Sequence, residues 1–405
     1  MSKNSLIIFG AAILIILLVG GLIFFLVPRI GEISLFSPSP LGSSRLPADT
    51  VQAKVIQIIE EGEITLDETP QPYQILLVQL LEGPFAGRQV IIDYGQRQIR
   101  PDGLRIQPGE KILVTVGEQP DGQITAYFTD FVRSPSLFWL VAAFVFFTVL
   151  ISGWKGVRSL IGLALSLLVI IGYIIPHILQ GEDPVRTSIV GAFILLAVTL
   201  YLVYGWNLKT HAAALGMLIA LFITGLLSSY FVNLTRLTGY SSEHAMFLVQ
   251  MAEATINLRG LVLAGMLIGA LGVLDDLVTS QASAVFELRA ADPHLDLRGL
   301  YNSAMRIGRD HVAATVNTLF LAYAGAALPM LLLFSLSGER YGYLVNLEFV
   351  TEEIVRTLVG SLGLILSVPI TTMLATLLAL YNQRLGSLRH YLGPDNSGAP
   401  GHTHG

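Results

Sequence analysis

The sequence predicts an all-α membrane protein, in which a bundle of eight transmembrane helices carries a small extracytoplasmic all-β domain inserted after the first helix. Three observations predict this class. The 405 residues are 53% hydrophobic and only 13% charged, and their apolar runs are long enough to cross a hydrocarbon core of about 30 Å. One polar segment rich in β-branched residues interrupts these runs. Because the chain contains no Cys, disulfides, thiolate metal ligands and a Cys nucleophile are excluded.

Eight apolar runs are predicted to span the membrane. The first is longer than the core of a signal peptide and lacks a small-residue cleavage site, so residues 1–30 are expected to stay as an N-terminal anchor. Tight polar turns at 154–156 and 206–209 favour an antiparallel seven-helix bundle over residues 136–385, followed by a flexible cytoplasmic tail over 386–405. The predicted spans cover residues 6–27, 137–153, 160–175, 188–204, 212–232, 258–274 or beyond, 312–336 and 354–381.

The Lys and Arg residues of the short loops predict the orientation of the bundle. An even number of spans places both termini on one side, and the excess of basic residues there makes it the cytoplasmic side by the positive-inside rule. The predicted cytoplasmic side holds Lys3, Lys155, Arg158, Lys209, Arg289, Arg298, Arg306, Arg309, Arg384 and Arg389. The opposite side holds Arg186, Arg236, Arg259, Arg340 and Arg356.

Residues 46–133 predict a separate β domain, which follows a Pro- and Ser-rich linker at 37–47. Five short strands bounded by Pro and Gly turns suggest an OB-like barrel, because closure removes unpaired strand edges. Nucleic-acid binding is not expected, since the Arg residues of this segment lie near Tyr94 alone and acidic residues are as common. The domain is predicted to be structural or to bind a protein partner. The predicted strands cover residues 51–59, 74–81, 88–93, 111–116 and 123–131.

A pair of carboxylates, Asp275 and Asp276, stands where a long apolar run is still continuing. A charged side chain at membrane depth costs roughly 2.5–3.5 kcal/mol, so it usually faces a bundle interior or an aqueous cavity. One interpretation is therefore the lining of a polar path or a cation site. The other is a helix that leaves the bilayer after Leu274, with its acidic residues among the headgroups. At helical spacing the polar stripe consists of Asp275, Asp276, Thr279, Ser280, Ser283 and Glu287.

A second polar face is predicted where the chain re-enters the membrane. Arg306, Asp310 and Asn317 recur at helical spacing, so Asp310 and Asn317 share one face. If they face Asp276 across the bundle interior, they complete a set of oxygen ligands for a hard cation or a proton-accepting pair of carboxylates. The alternative is an ion pair between Arg306 and Asp310 at the interface, with Asn317 bonding between helices. The sequence does not identify a metal for this site.

The order of these parts resembles a known family. The N-terminal anchor, the β domain, the motif Gly-Val-Leu-Asp-Asp-Leu-Val-Thr-Ser-Gln at 272–281 and Arg-Ile-Gly-Arg-Asp-His at 306–311 resemble the YibE/F-like family of bacterial multi-pass membrane proteins. The likeness covers nearly the whole chain and centres on residues 271–287 and 306–317. It implies a permease-like protein of the bacterial inner (plasma) membrane, and it brings no secure biochemical activity with it.

Two functions remain open at this point. The first is a permease or transporter for a small polar solute or cation, with a path lined by acidic residues of the sixth and seventh spans. The second is a non-transporting scaffold in the lipid bilayer that anchors the β domain for partner binding. An enzyme is not expected, because adjacent Asp residues on a helix point to different faces and no Ser-His or His-Glu-x-x-His arrangement occurs. No cofactor is predicted, and the oligomeric state stays open.

Overall fold

The computed structural model describes residues 50–66, 69–97, 104–118, 123–241, 243–252, 255–338, 341–381 and 392. The predicted anchor at 1–30, the linker at 37–47 and, apart from Leu392, the predicted tail at 386–405 lie outside these residues. The chain divides into two compact units between Phe147 and Thr148, with the β strands in the first unit and most of the helices in the second.

The first unit contains a five-stranded antiparallel sheet of β1 (Thr50–Leu66), β2 (Thr69–Leu80), β3 (Gln89–Tyr94), β4 (Lys111–Glu118) and β5 (Ile124–Phe131). The strand order in the sheet is β3-β2-β1-β4-β5. Alternate side chains along β1 and β4 point inward, as the alternation of apolar and polar residues predicts, and Leu76, Ile92 and Ile112 are among the core side chains. The Tyr94 ring at the end of β3 lies 4.8 Å from the Phe128 ring of β5, so the two edge strands approach each other.

The β1–β2 hairpin is longer than the sequence predicts. Beyond the predicted strands, Gly62 pairs with Tyr73 and Leu66 pairs with Thr69 across the hairpin. The composition of this segment does not predict the extension, because Glu is depleted in β strands and Pro, present at 70 and 72, is rare inside them. Cross-strand pairing overrides both preferences.

The length and apolar composition of the helices after the sheet are compatible with a multi-pass membrane protein. Within the described residues, five segments are long and apolar enough to cross a membrane, namely Ser134–Leu179, Pro184–Tyr204, Leu208–Leu234, Leu258–Ala291 and Glu348–Tyr381. A sixth span results if Leu297–Ala326 and Leu328–Leu336, which meet at a bend of 62°, are taken together. The helices are α1 (Ser134–Val169), α2 (Ile175–Leu179), α3 (Pro184–Tyr204), α4 (Leu208–Leu234), α5 (Glu243–Met251), α6 (Leu258–Ala291), α7 (Leu297–Ala326), α8 (Leu328–Ser337), α9 (Tyr341–Leu344) and α10 (Glu348–Tyr381), with a π-helical turn (Ile170–Ile174) joining α1 to α2.

The two runs predicted at 137–153 and 160–175 belong to one helical segment with a break inside it. Gly153 has φ 56° and ψ −133°, a left-handed conformation that costs glycine no steric clash. A Cβ placed on Gly156 would lie 2.5 Å from the carbonyl oxygen of Thr148, whereas residues eight apart in a straight helix are about 12 Å apart. The chain therefore folds back sharply at Gly153.

Small residues let α4 and α10 pack closely in antiparallel orientation. The Gly216 backbone lies against the Thr371 side chain, and the Gly363 backbone lies against the Thr224 side chain, with no room for a Cβ at either glycine. Pairs of small residues spaced by one or two turns allow this approach in membrane helices, where packing and not the hydrophobic effect drives association. The polar but uncharged residues of these spans therefore serve packing here.

Helix α6 lies at the centre of the bundle and contacts α3, α4, α7 and α10. Its apolar face is buried as the helical spacing predicts, with Leu274, Val278 and Val285 at most 1% exposed. Helices α6 and α10 run parallel, because Gly265 lies beside Arg356 and Gln281 is bonded to Thr372 at the same sequence separation.

Candidate functional site

Capping side chains fix where the helices around the Asp275 region begin. The Asn257 side chain accepts a hydrogen bond from Gly260 N at the start of α6, and the Asp296 side chain accepts one from Gly299 N at the start of α7. Such caps satisfy backbone donors that have no partner within the helix. A Cβ on Gly260 would lie 3.3 Å from Pro184, the first residue of α3, so α3 and α6 begin at the same level.

Asp275 is half-buried near the level where α3 ends. One turn further along α6, Thr279 lies 3.3 Å from the hydroxyl of Tyr204, the last residue of α3. Helix α3 has 21 residues, which corresponds to about 31 Å and matches the hydrocarbon core. Asp275 is thus one turn inside the boundary that the end of α3 marks. Its Oδ1 atom is buried and has no hydrogen-bond partner among the described residues.

The hydroxyl groups near Asp275 bond mainly to their own helix. Thr279 Oγ1 donates to the Asp275 carbonyl oxygen at 2.8 Å, Ser283 Oγ donates to the Thr279 carbonyl oxygen at 2.8 Å, and Ser280 Oγ donates to the Leu277 carbonyl oxygen at 3.1 Å. Their oxygen lone pairs stay available as acceptors. Of the predicted stripe, Thr279 alone is buried, whereas Ser280 and Ser283 are half-buried.

The structure does not bury Asp276, Asp310 or Asn317 in the interior of the bundle. All three side chains are exposed, and within the described residues no hydrogen bond or ion pair joins them. The cause is the rotation of α7, which turns Leu300, Ala304 and Gly308 toward the bundle and leaves the face of Asp310 and Asn317 outside. Of the predicted site residues, Asp275 and Thr279 lie one turn apart on α6, with Asp275 half-buried and Thr279 buried.

A buried polar bridge that the sequence did not reveal lies about two turns from Asp275. Gln281 Nε2 donates to Thr372 Oγ1 at 2.7 Å and to the Ala304 carbonyl oxygen at 3.0 Å, so it connects α6 to α10 and α7. Gln281 is fully buried. The spacing of the sequence does indicate that Gln281 is buried. Gln281 lies three residues after Val278 and four before Val285, which places a polar residue on the apolar face of α6.

Carboxylates of α10 hold the opposite end of the bundle. The Glu348 carboxylate accepts hydrogen bonds from the hydroxyl of Thr238 and from Gly239 N, each at 2.9 Å, and Glu352 accepts one from Ser241 Oγ at 2.8 Å. These bonds fasten the loop between α4 and α5 to the first turns of α10. Arg356 lies beside them, 2.6 Å from Glu352 and 3.3 Å from Glu353.

Comparison with known proteins identifies the family and leaves the activity undetermined. No curated protein and no solved structure matches this chain. The model of the family described as YibE/F-like protein matches residues 140–380, which is more than half of the 405 residues and includes both the Asp275 region and the Gln281 bridge. The chain therefore belongs to the YibE/F-like family.

Proposed function

We propose that this protein is a permease of the bacterial inner membrane that moves a small polar solute or a cation, with Asp275 at its transport site. The buried, unpartnered Oδ1 atom of Asp275 supports this proposal. A buried acceptor without a partner costs about 1–3 kcal/mol, and more when it is charged. A bound cation or a proton removes this cost, so binding of either one is favoured at Asp275.

The neighbours of Asp275 suit a cation that prefers oxygen ligands. Thr279 Oγ1 and the Tyr204 hydroxyl are 3.3 Å apart and lie one turn from the carboxylate. One carboxylate with neutral hydroxyl oxygens is a donor set for a hard cation. Among the described residues no three His, Asp or Glu side chains come together as metal ligands, so the proposal is a transported cation held weakly.

The proposal also includes the number of spans, the side of the membrane on which the termini lie and the form of the β domain. Counting the Gly153 break as a boundary between two spans, taking α7 and α8 as one span, and adding the apolar run at 6–27 yields eight spans. Both termini are then cytoplasmic, as the Lys and Arg bias predicts. The approach of Tyr94 to Phe128 supports an OB-like barrel on the extracytoplasmic side.

Flux measurements in proteoliposomes test the proposal. Radioactive Na⁺ and Rb⁺ and an enclosed pH-sensitive dye report movement of monovalent cations and protons. Asp275→Asn keeps the side-chain volume and removes the charge, so we expect it to abolish the flux of the transported ion. Asp276→Asn should reduce the flux less, because its carboxylate is exposed.

Asp292→Asn is the matched control, since Asp292 follows the end of α6. The side-chain oxygen of Asn at this position can still accept the hydrogen bond that His294 N donates to Asp292. Equal fluxes for Asp275→Asn and Asp292→Asn, at equal protein incorporation, would refute Asp275 as the transport site.

The scaffold function is the second candidate, and the sheet surface is the observation that favours it. Ile91 is 61% exposed, Ile59 is 49% exposed and Ile56 is 39% exposed. The solvent-facing side of an antiparallel sheet is usually polar, so exposed isoleucines suit contact with a partner. If a chain without residues 46–133 still inserts and still transports, the bundle is the active unit. If the β domain on an unrelated anchor reproduces the biological effect, the permease proposal fails.

A further inference from the structure

A cavity lies beside the start of α10, away from Asp275. It measures about 470 Å³ and lies between α7, α8 and the start of α10. This volume is within the range of about 300–1,000 Å³ typical of small-molecule pockets. Because α6 and α10 run parallel in register, its residue Glu353 is about 20 Å along the bundle axis from Asp275. Glu353 is therefore separate from the proposed transport site.

The described residues that line this cavity are apolar apart from a few polar side chains and one carboxylate. The side chains of Phe320, Tyr323 and Phe334 provide aromatic walls, and Glu353 is the one acidic residue among the described residues of the lining. Phe334 is held in place by Phe349, whose ring centroid lies 5.7 Å away. Aromatic walls combined with one carboxylate are the arrangement that recognises organic cations, because ring faces attract positive charge.

Of the two carboxylates beside Arg356, Glu353 has fewer polar contacts than Glu352 among the described residues. Arg356 Nη2 donates a 2.6 Å hydrogen bond to Glu352, and Glu352 also accepts one from Ser241. The Arg356 Nε atom lies 3.3 Å from Glu353 but lacks hydrogen-bond geometry, and within the described residues Glu353 accepts no hydrogen bond. With all three groups ionised, Glu352, Glu353 and Arg356 carry one net negative charge. The polar end of the cavity thus retains a charge for a cationic ligand to neutralise.

We propose that this cavity binds a lipophilic organic monocation, with Glu353 pairing the charge and the aromatic walls enclosing the apolar body. Charge complementarity favours this occupant over a lipid acyl chain, which would gain nothing from Glu353. Phe320, Ala324 and Leu331 of the lining are exposed, so an amphipathic cation that partitions into the bilayer can reach the cavity from outside the bundle.

Equilibrium dialysis of the full-length protein in detergent micelles, with protein-free micelles as the blank, tests the proposal. Tetraphenylphosphonium is the probe, and tetraphenylborate is its anionic counterpart of the same shape. We expect saturable binding of the cation and none of the anion. Glu353→Gln should raise the dissociation constant of the cation about tenfold, as expected for losing one charge contact.

Two further variants keep the test decisive. Glu352→Gln removes the same charge from a residue outside the lining, so it should change the dissociation constant far less. Ala324→Phe fills the cavity and leaves Glu353 intact, so it should abolish binding in a protein that still elutes as a single species. Equal binding of tetraphenylborate, equal losses for Glu352→Gln and Glu353→Gln, or unchanged binding by Ala324→Phe would each overturn the proposal. None of these outcomes affects the Asp275 site.

Discussion

Gln281 Nε2 donates a 2.7 Å hydrogen bond to Thr372 Oγ1, and the same nitrogen reaches the Ala304 carbonyl oxygen at 3.0 Å. One side chain of α6 thereby holds α7 and α10 together at the end of the bundle nearest Asp275. Thr372 Oγ1 donates in turn to the Val368 carbonyl oxygen, so its role as acceptor from Gln281 is settled by the network. The Gln281 Oε1 atom is buried and rests against Gly308.

Truncation of Gln281 is predicted to destabilise the bundle. Gln281→Ala loses both hydrogen bonds and leaves a cavity, so we expect the free energy of unfolding to fall by about 2 kcal/mol. Gln281→Met retains most of the volume and should cost about 1 kcal/mol. Reversible unfolding in mixed micelles with increasing sodium dodecyl sulfate measures both values. If Gln281→Ala unfolds at the same detergent fraction as the unaltered protein, the bridge does not contribute to stability.

Two glycines of α10 are predicted to respond oppositely to the same substitution. Gly363→Ala forces a Cβ into the Thr224 side chain and should lower the free energy of unfolding by about 1–3 kcal/mol. Gly360→Ala meets open space three residues earlier, so it should raise the stability by up to about 1 kcal/mol through helix propensity. The same micelle titration separates them. Similar effects of the two substitutions would contradict the close α4–α10 packing.

The β domain is predicted to fold without the bundle. Residues 46–133 contain a sheet with its own buried core, so the isolated segment should unfold in one cooperative transition with heat or urea. Ile112→Ala, at a fully buried position, should cost about 2–5 kcal/mol. Ile91→Ala, at a position 61% exposed, should be nearly neutral and serves as the control. A featureless circular dichroism spectrum of the isolated segment would disprove the prediction.

Tyr73 is predicted to titrate above ordinary tyrosines. Its hydroxyl donates a 2.6 Å hydrogen bond to Glu60, which raises the pKa of Tyr73 above 10.0, because the phenolate would lose this bond and face a carboxylate. Since the folded pKa is the higher one, the pair stabilises the fold fully below pH 10 and loses its effect as the pH rises through the folded pKa. The phenolate absorbance of the full chain, compared between variants, follows this titration.

Glu60→Gln should return the pKa of Tyr73 toward 10.0, while Glu61→Gln, one residue further on, should leave it raised. A phenolate titration unchanged by Glu60→Gln would show that the bond does not control Tyr73.

The limits of sequence reasoning are visible on α6 and α7. The 3.6-residue period correctly places Leu274, Val278 and Val285 on a buried face. The same period groups Asp310 with Asn317, but it does not say which way α7 is turned about its axis. Small residues decide that rotation, because Gly308 allows α7 to approach Gln281 and Val368 closely.

By itself, the sequence determined that this protein is a membrane helix bundle with a β domain, and that a carboxylate pair interrupts its sixth predicted span. Such features follow from composition and from local periodicity, which act within a few turns of the chain. The tertiary structure alone decided that Asp275 is shielded while Asp276 is exposed, and that Gln281 bridges three helices. These outcomes depend on contacts between residues far apart in sequence, and the physical reason is close packing, which selects one rotation for each helix from several that its amphipathic pattern allows.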